Sequence, residues 1–143
     1  MLDWVRGTLP GSGRRLRVLE VGCGPGYLAS RLLEDGVHLT AIDASEDQVQ
    51  LARERGVPAI ASDFLAFEGG PFDAVLFTRS LHHISPLGEG ISRTRALVRP
   101  GGLILAHNVE MVPDYVKAVT TNPDLETIFY MEGNGLAVTL KKH

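Results

Sequence analysis

The sequence predicts an α/β domain: a mostly parallel sheet with helices on both faces and an antiparallel hairpin at its C-terminal end. Three observations carry this expectation. Short apolar runs alternate with capped amphipathic stretches along the chain, the pattern of successive βαβ units. The run Phe72 to Thr78 is apolar nearly throughout, as in a strand covered by helices on both faces. The first run, Leu16 to Val21, enters a loop with glycine at every second position, Gly22-Cys23-Gly24-Pro25-Gly26, and passes straight into helix-forming residues.

Residues 1–15 supply at most a short helix before the break at Pro10-Gly11-Ser12-Gly13. Leu16 to Val21 is the first strand. Tyr27 to Asp35 is a helix, with Leu28 and Leu32 one turn apart and Gly36 ending it at the C′ position. Val37 to Asp43 is the second strand and closes on a carboxylate seventeen residues after Gly26. Ser45 caps the next helix, Gln48 completes a capping box, Val49 and Ala52 face inward, and Gly56 stops it. Val57 to Ala61 makes the third strand and Phe72 to Thr78 the fourth.

Leu87, Ile91, Thr94 and Val98 keep helical spacing. Gly88 and Gly90 weaken the first turn by about 1 kcal/mol each relative to alanine, so that turn is expected to be mobile or irregular. Pro100-Gly101-Gly102 ends the helix, Leu103 to Ala106 is the fifth strand, and Pro113 to Thr121 a short helix. Leu125 to Met131 and Leu136 to Lys141 pair as a hairpin across Glu132-Gly133-Asn134-Gly135, with Leu136, Val138 and Leu140 on one buried face.

The length, 143 residues, fits a single domain spanning 1–143 with no separate substrate domain. One cysteine, Cys23, leaves no internal disulfide framework and no thiolate metal cluster, and fits a reducing, cytoplasmic location. A net charge of -3 and a pI near 5.9 give no basic footprint for nucleic acid. The N-terminal residues lack the pattern of a signal or transit peptide. No apolar run approaches the ~20 residues that span a bilayer.

The glycine loop narrows the ligand. A dinucleotide fingerprint reads G-x-G-x-x-G, but here the third glycine comes one residue early and Tyr27 occupies its place. Two residues before the first glycine, Glu20 would repel a pyrophosphate and attract an ammonium or a sulfonium. S-adenosylmethionine carries both. The string Glu20-x-Gly22-x-Gly24-x-Gly26 resembles the first motif of class I S-adenosylmethionine-dependent methyltransferases, and the element order resembles their Rossmann-like seven-stranded plan over essentially the whole chain.

Residues 16–105 resemble the ubiquinone/menaquinone and trans-aconitate methyltransferases through Val18 to Ala29, Ser80-Leu81-His82-His83-Ile84 and Leu97 to Gly102. The tail, through Asn108, Pro123 to Glu126 and Gly133 to Leu136, is more similar to the catechol and caffeoyl-CoA O-methyltransferases. All eleven arginines lie at or before Arg99, and the three lysines at or after Lys117. Chance in a short chain and a hybrid of two origins, natural or engineered, both account for that asymmetry.

The resemblance implies S-adenosylmethionine as cofactor, a small-molecule methyl acceptor, and a set of site residues. Gly22, Cys23, Gly24, Gly26 and Tyr27 form the loop, with Glu20 beside it. Asp43 is suited to accept both ribose hydroxyls, and Ala44 to wall the adenine. Asp63 accepts the adenine amino group while Phe64 packs on the ring; Thr78, Arg79 and Ser80 line the methionine end. His82 and His83 lie where an acceptor must sit, and imidazole takes a hydroxyl proton near neutral pH. His82 most nearly matches the base of the plant caffeic-acid-type enzymes; a substrate-shaping role for the pair stands beside it.

Catechol-type enzymes hold a divalent metal on carboxylates after the fourth and fifth strands. Here Arg79 and His107-Asn108 occupy those places, so no metal is expected. Two other classes remain in view: a module that binds S-adenosylmethionine or its product without turnover, and a nicotinamide-dependent oxidoreductase, which Tyr27 and Glu20 oppose. The acceptor and the oligomeric state are not encoded in any motif.

Overall fold

A computed structural model describes residues 14–131 and 133–143. The expected N-terminal helix, its Pro10 to Gly13 break, and Glu132 of the hairpin turn lie outside the described residues. The strands are β1 (Arg17–Val21), β2 (His38–Asp43), β3 (Ile60–Ala61), β4 (Phe72–Phe77), β5 (Val98–His107), β6 (Leu125–Tyr130) and β7 (Leu136–Lys141). The helices are α1 (Tyr27–Glu34), α2 (Glu46–Glu54), α3 (Leu87–Leu97) and α4 (Pro113–Thr121). All seven strands form one sheet in the order β3-β2-β1-β4-β5-β7-β6.

β1 pairs in parallel with both β2 and β4, so the strand order reverses at β1 and opens a crevice at its carboxyl end. β7 runs antiparallel to β5 on one side and to β6 on the other. Alternation along each strand feeds two cores. Val18, Leu76, Leu105 and Val138 pack on the face covered by Ala29 and Leu32 of α1 and by Val49 and Ala52 of α2. Leu19, Val75, Ile104 and Ala137 pack on the opposite face with Leu97 of α3 and with Tyr115 and Val119 of α4. Every residue of β4 is buried, as its apolar run requires.

Four expectations need correction. β3 is a bridge of two residues, because Pro58 has no N–H to give a ladder and pairing starts only at Ile60. The first turn of α3 is regular: Gly90 is buried where a Cβ would lie 2.5 Å from Cγ2 of Ile84, so this glycine seats the helix on Ile84.

Pro100-Gly101-Gly102 lies inside β5 rather than before it. The register passes from Phe72↔Val98 to Ala74↔Leu103, and the extra residues bulge out through Gly101 at φ 78°. A Cβ on Gly102 would come 2.9 Å from the Asp73 carbonyl.

The hairpin buries both faces of β7, not one. Val138 enters the α1-side core, flanked by the partly buried Leu136 and Leu140, while Ala137 and Thr139 are fully buried on the other side. At the amino ends of the strands, Asp73 accepts from Arg17 N at 2.8 Å and pairs with Arg14 and Arg99. Burial alone would raise its pKa, but these donors and charges outweigh it and hold the carboxyl below its ordinary value.

Candidate functional site

The loop after β1 wraps over the carboxyl end of β2. Gly22 N and Cys23 N both donate to the Ile42 carbonyl, at 2.9 and 3.0 Å. Its three glycines serve three different ends. Gly22 has φ 73°, and a Cβ there would lie 2.4 Å from Cβ of Ser80, whose hydroxyl donates to the Val21 carbonyl. Gly26, at φ 85°, lies within 3.1 Å of where a Cβ would meet Ala52 and Val57, and so lets α1 pack on α2. Gly24 alone faces open space, with Oε1 of Gln48 nearest at 3.7 Å, and leaves its backbone approachable by a ligand.

Beside this loop lies a cavity of about 400 Å³, walled by Gly22, Asp43, Ala44, Asp63, Phe64, Ser80, His83 and Ile84 among others. Asp43 is already engaged. Its Oδ2 accepts from Gly24 N and its Oδ1 from Ser45 N, both at 2.9 Å, so the carboxylate ties the glycine loop to the start of α2 and keeps its remaining lone pairs for a ligand. Ser45 Oγ accepts from Gln48 N at 3.4 Å; with Ser45 N given to Asp43, the expected capping box forms only its first half. Asp63 Oδ1 caps a one-turn helix by accepting from Leu65 N at 2.8 Å. Phe64 is buried edge-on against Phe77, with ring centroids 5.4 Å apart.

Glu20 supplies the charge. It is 2% exposed, its Oε1 accepts from Thr78 Oγ1 at 3.4 Å, and its Oε2 is buried with no hydrogen-bond partner. Burial pushes its pKa up to about 7, the Thr78 hydroxyl working against that shift and the Asp43 charge adding to it. Burial, followed by the nearby Glu20 and Asp43 charges, pushes the Cys23 thiol up to about 12, so Cys23 contributes backbone and bulk rather than a thiolate. A carboxylate oxygen that no protein donor satisfies suits a cationic ligand and opposes an anionic one.

Tyr27, Thr78, Arg79 and His82 stand apart from this cavity. Tyr27 is 65% exposed and stacks under the Arg55 guanidinium, 3.9 Å from the ring centroid, while Arg55 Nε donates to the Pro25 carbonyl. Arg79 is exposed, and Thr78 faces the α1 side of the sheet. His82 and His83 are exposed and stacked with ring centroids 3.9 Å apart; His83 rather than His82 joins the cavity wall.

The sequence marks His107 only as standing where a metal-binding carboxylate would be. In the fold it ends β5, its Nδ1 lies 3.1 Å from the Thr78 carbonyl, and its ring lines a second, apolar cavity of about 330 Å³. The signal was present: His107 keeps the period-two alternation of Leu103 and Leu105, which places it on their face. Among the described residues no cluster of three or more His, Cys, Asp or Glu is placed to hold a metal ion, and no helix is long and apolar enough to cross a membrane.

Comparison with known proteins adds kinship. Residues 18–102 match the family model described as a methyltransferase domain. A ubiquinone biosynthesis O-methyltransferase of Caulobacter sp. (strain K31) is 37% identical over 108 residues, covering 66% of this chain and 43% of the relative. The chain spans less than half the length of such curated relatives. The plantazolicin methyltransferase BpumL, solved with a substrate analogue and SAH, superposes with a TM-score of 0.78 at 13% identity, covering 99% of this chain and 81% of that one. Magnesium protoporphyrin IX methyltransferase from Synechocystis PCC 6803, solved with bound SAM, gives a TM-score of 0.73 at 20% identity over 99% and 76%. At those identities the structural likeness is one of fold.

Proposed function

The chain belongs to the methyltransferase-domain family, and from that premise we propose that it binds S-adenosylmethionine in the cavity beside the glycine loop and transfers methyl to a small-molecule acceptor. The observation that carries this reading is Glu20: a buried carboxylate at the carboxyl end of β1, with one oxygen unclaimed by protein, near enough to Asp43 and to Cys23 of the glycine loop for their charges to be felt. That arrangement favours an ammonium and a sulfonium over a pyrophosphate.

Asp43 holds the ribose hydroxyls on the lone pairs it does not give to Gly24 N and Ser45 N. Ala44 and Phe64 wall the adenine, with Asp63 near its amino group, and Ser80 and His83 close the far side. The loop residues Gly22, Cys23 and Gly26 shape the turn and hold it to β2, while Tyr27 and Arg79 act from outside the cavity. The bound sulfonium supplies an activated methyl group, so the task left to the protein is to fix acceptor and donor in attack geometry, worth several kcal/mol on a rigid sheet end. His83, on the cavity wall, shapes the approach from the adenosine side, with His82 stacked on its ring.

The reading extends to a cytoplasmic protein that acts as one domain on a small molecule rather than on nucleic acid, in keeping with its net charge of -3. Isothermal titration tests it. S-adenosylhomocysteine is expected to bind saturably and NAD not at all; the reverse result overturns the assignment.

A further inference from the structure

We propose that the free edge of β6 is a self-association surface: two copies of the chain pair antiparallel across it, about a two-fold axis at Ile128, and their sheets run on as one. The sheet ends on β6, whose strand neighbour among the described residues is β7 alone. Lys142 N donates to the Asp124 carbonyl at 2.9 Å in the same register as the ladder, so Glu126, Ile128 and Tyr130 also turn their main-chain groups toward β7. Leu125, Thr127 and Phe129 then turn theirs outward. A row of unpaired N–H and C=O groups is a template for another strand.

The two edges of the sheet are built differently. At the far edge β3 has two residues and follows Pro58, too short and too poor in donors to take a partner. β6 runs unbroken from Leu125 to Tyr130 with no proline and no lysine, and Glu126 is its sole charge. Large apolar side chains stay in solvent along it: Ile128 is 49% exposed, Tyr130 50% and Met131, just past the strand, 64%.

The side chains fix the register, and the register selects a second copy of this chain as the partner. Outward groups alternate along the strand, so the pairing slips only in steps of two residues. With Ile128 opposite Ile128 of the second copy, Thr127 and Phe129 exchange main-chain hydrogen bonds across the axis. Ile128 shares the α1 side of the sheet with Glu126 and Tyr130, through their partners Val138, Leu140 and Leu136. There Ile128 meets its own copy in the closer, non-hydrogen-bonded kind of pair. On either side of it Glu126 faces Tyr130 of the second copy, a carboxylate that accepts against a phenol that donates. A slip of two residues one way sets Glu126 against Ile128, and two the other way cuts the overlap to 128–130. The edge thus complements itself, as a two-fold contact requires. A strand of this length spans about 20 Å, which puts the contact at the small end of specific interfaces, below ~1,200 Å² in total, so the dimer forms and dissociates with concentration.

Sedimentation velocity of the full chain over roughly 5 to 500 µM tests the surface, and the native chain is expected to pass from monomer toward dimer across that range. Ile128→Lys sets two ammonium groups face to face at the axis and should weaken association by about tenfold or more while the cooperative melt is kept. Ile128→Cys, under mild oxidation, should give a disulfide dimer, because directly opposed Cα atoms in such a pair lie ~4.5 Å apart, whereas Glu126→Cys should not. Cys23 is buried and does not compete. The cysteine pair decides if Ile128→Lys fails to fold. A chain that stays monomeric throughout, unchanged association in folded Ile128→Lys, or cross-linking of Glu126→Cys as readily as Ile128→Cys overturns the proposal.

Discussion

Glu20 should make the protein less stable in exchange for holding a cation, and both halves are measurable with Glu20→Gln. The carboxyl titrates near 7 in the folded chain against an ordinary value of 4.5. The folded state therefore keeps its proton where the unfolded chain has lost it. Stability falls as pH rises from about 4.5 to about 7 and is flat above, and the difference of 2.5 units amounts to about 3 kcal/mol at 1.36 kcal/mol per unit.

A glutamine cannot ionise. At pH 8 Glu20→Gln should be more stable than the native chain by up to about 3 kcal/mol, roughly 10 °C in Tm for a domain of this size, while at pH 4.5 the two should melt together. For S-adenosylhomocysteine, whose ammonium needs the ionised form, native affinity should rise about tenfold per pH unit below 7 and level off above it. The variant should bind more weakly at pH 8, with no pH dependence in this window. Scanning calorimetry from pH 4.5 to 8.5 and titration calorimetry over the same range read both effects. A variant less stable at pH 8, or a native affinity that ignores pH, would refute the reasoning.

Three further outcomes are expected. Asp43→Ala should weaken S-adenosylhomocysteine by about 10- to 100-fold, and, because it also releases Gly24 N and Ser45 N, should cost roughly 1.5 to 3 kcal/mol in denaturant titration; an unchanged dissociation constant would place the ribose elsewhere. Gly22→Ala should destabilise the chain by driving a Cβ into Ser80, and adding Ser80→Gly should recover the steric part but not the strain of φ 73°; additive costs in the double variant would disprove the contact. Truncation after Met111 removes α4, β6 and β7 and should leave no cooperative melt, whereas a soluble, two-state fragment would show the hairpin dispensable.

What was legible in the sequence was whatever depends on near neighbours. The apolar runs, Ser45 as a cap, Gly36 after α1 and the limits of α4 all follow from local period and local chemistry. Pro100-Gly101-Gly102 misled because a helix stop and a β-bulge use the same residues, and only the register against β4 separates them. The glycine loop could be read as a ligand loop, but not its division of labour: the group that forbids a side chain at Gly22 is Ser80, far along the chain. Tyr27 sits at the right place in the motif, yet Arg55 draws its ring outward, a contact that no spacing rule contains. Glu20 was legible as a charge and not as a buried one. His107 was legible only as a replacement for a metal-binding carboxylate, since its contact with the Thr78 carbonyl is made across to the adjacent strand.

The place of β7 bears on how the chain is made. Last of the strands in sequence, it is inserted between β5 and β6 and supplies both with their ladder partner. During synthesis β5 must therefore wait as an open sheet edge, with Ile104 and Leu105 presented beside unpaired N–H and C=O groups, until residues 136–141 leave the ribosome. Such a nascent intermediate invites pairing with a neighbouring chain, and closure by a distant, late strand is slow. Yield in cells should thus respond to translation speed after residue 107 and to chaperone supply more than the stability of the finished domain would suggest.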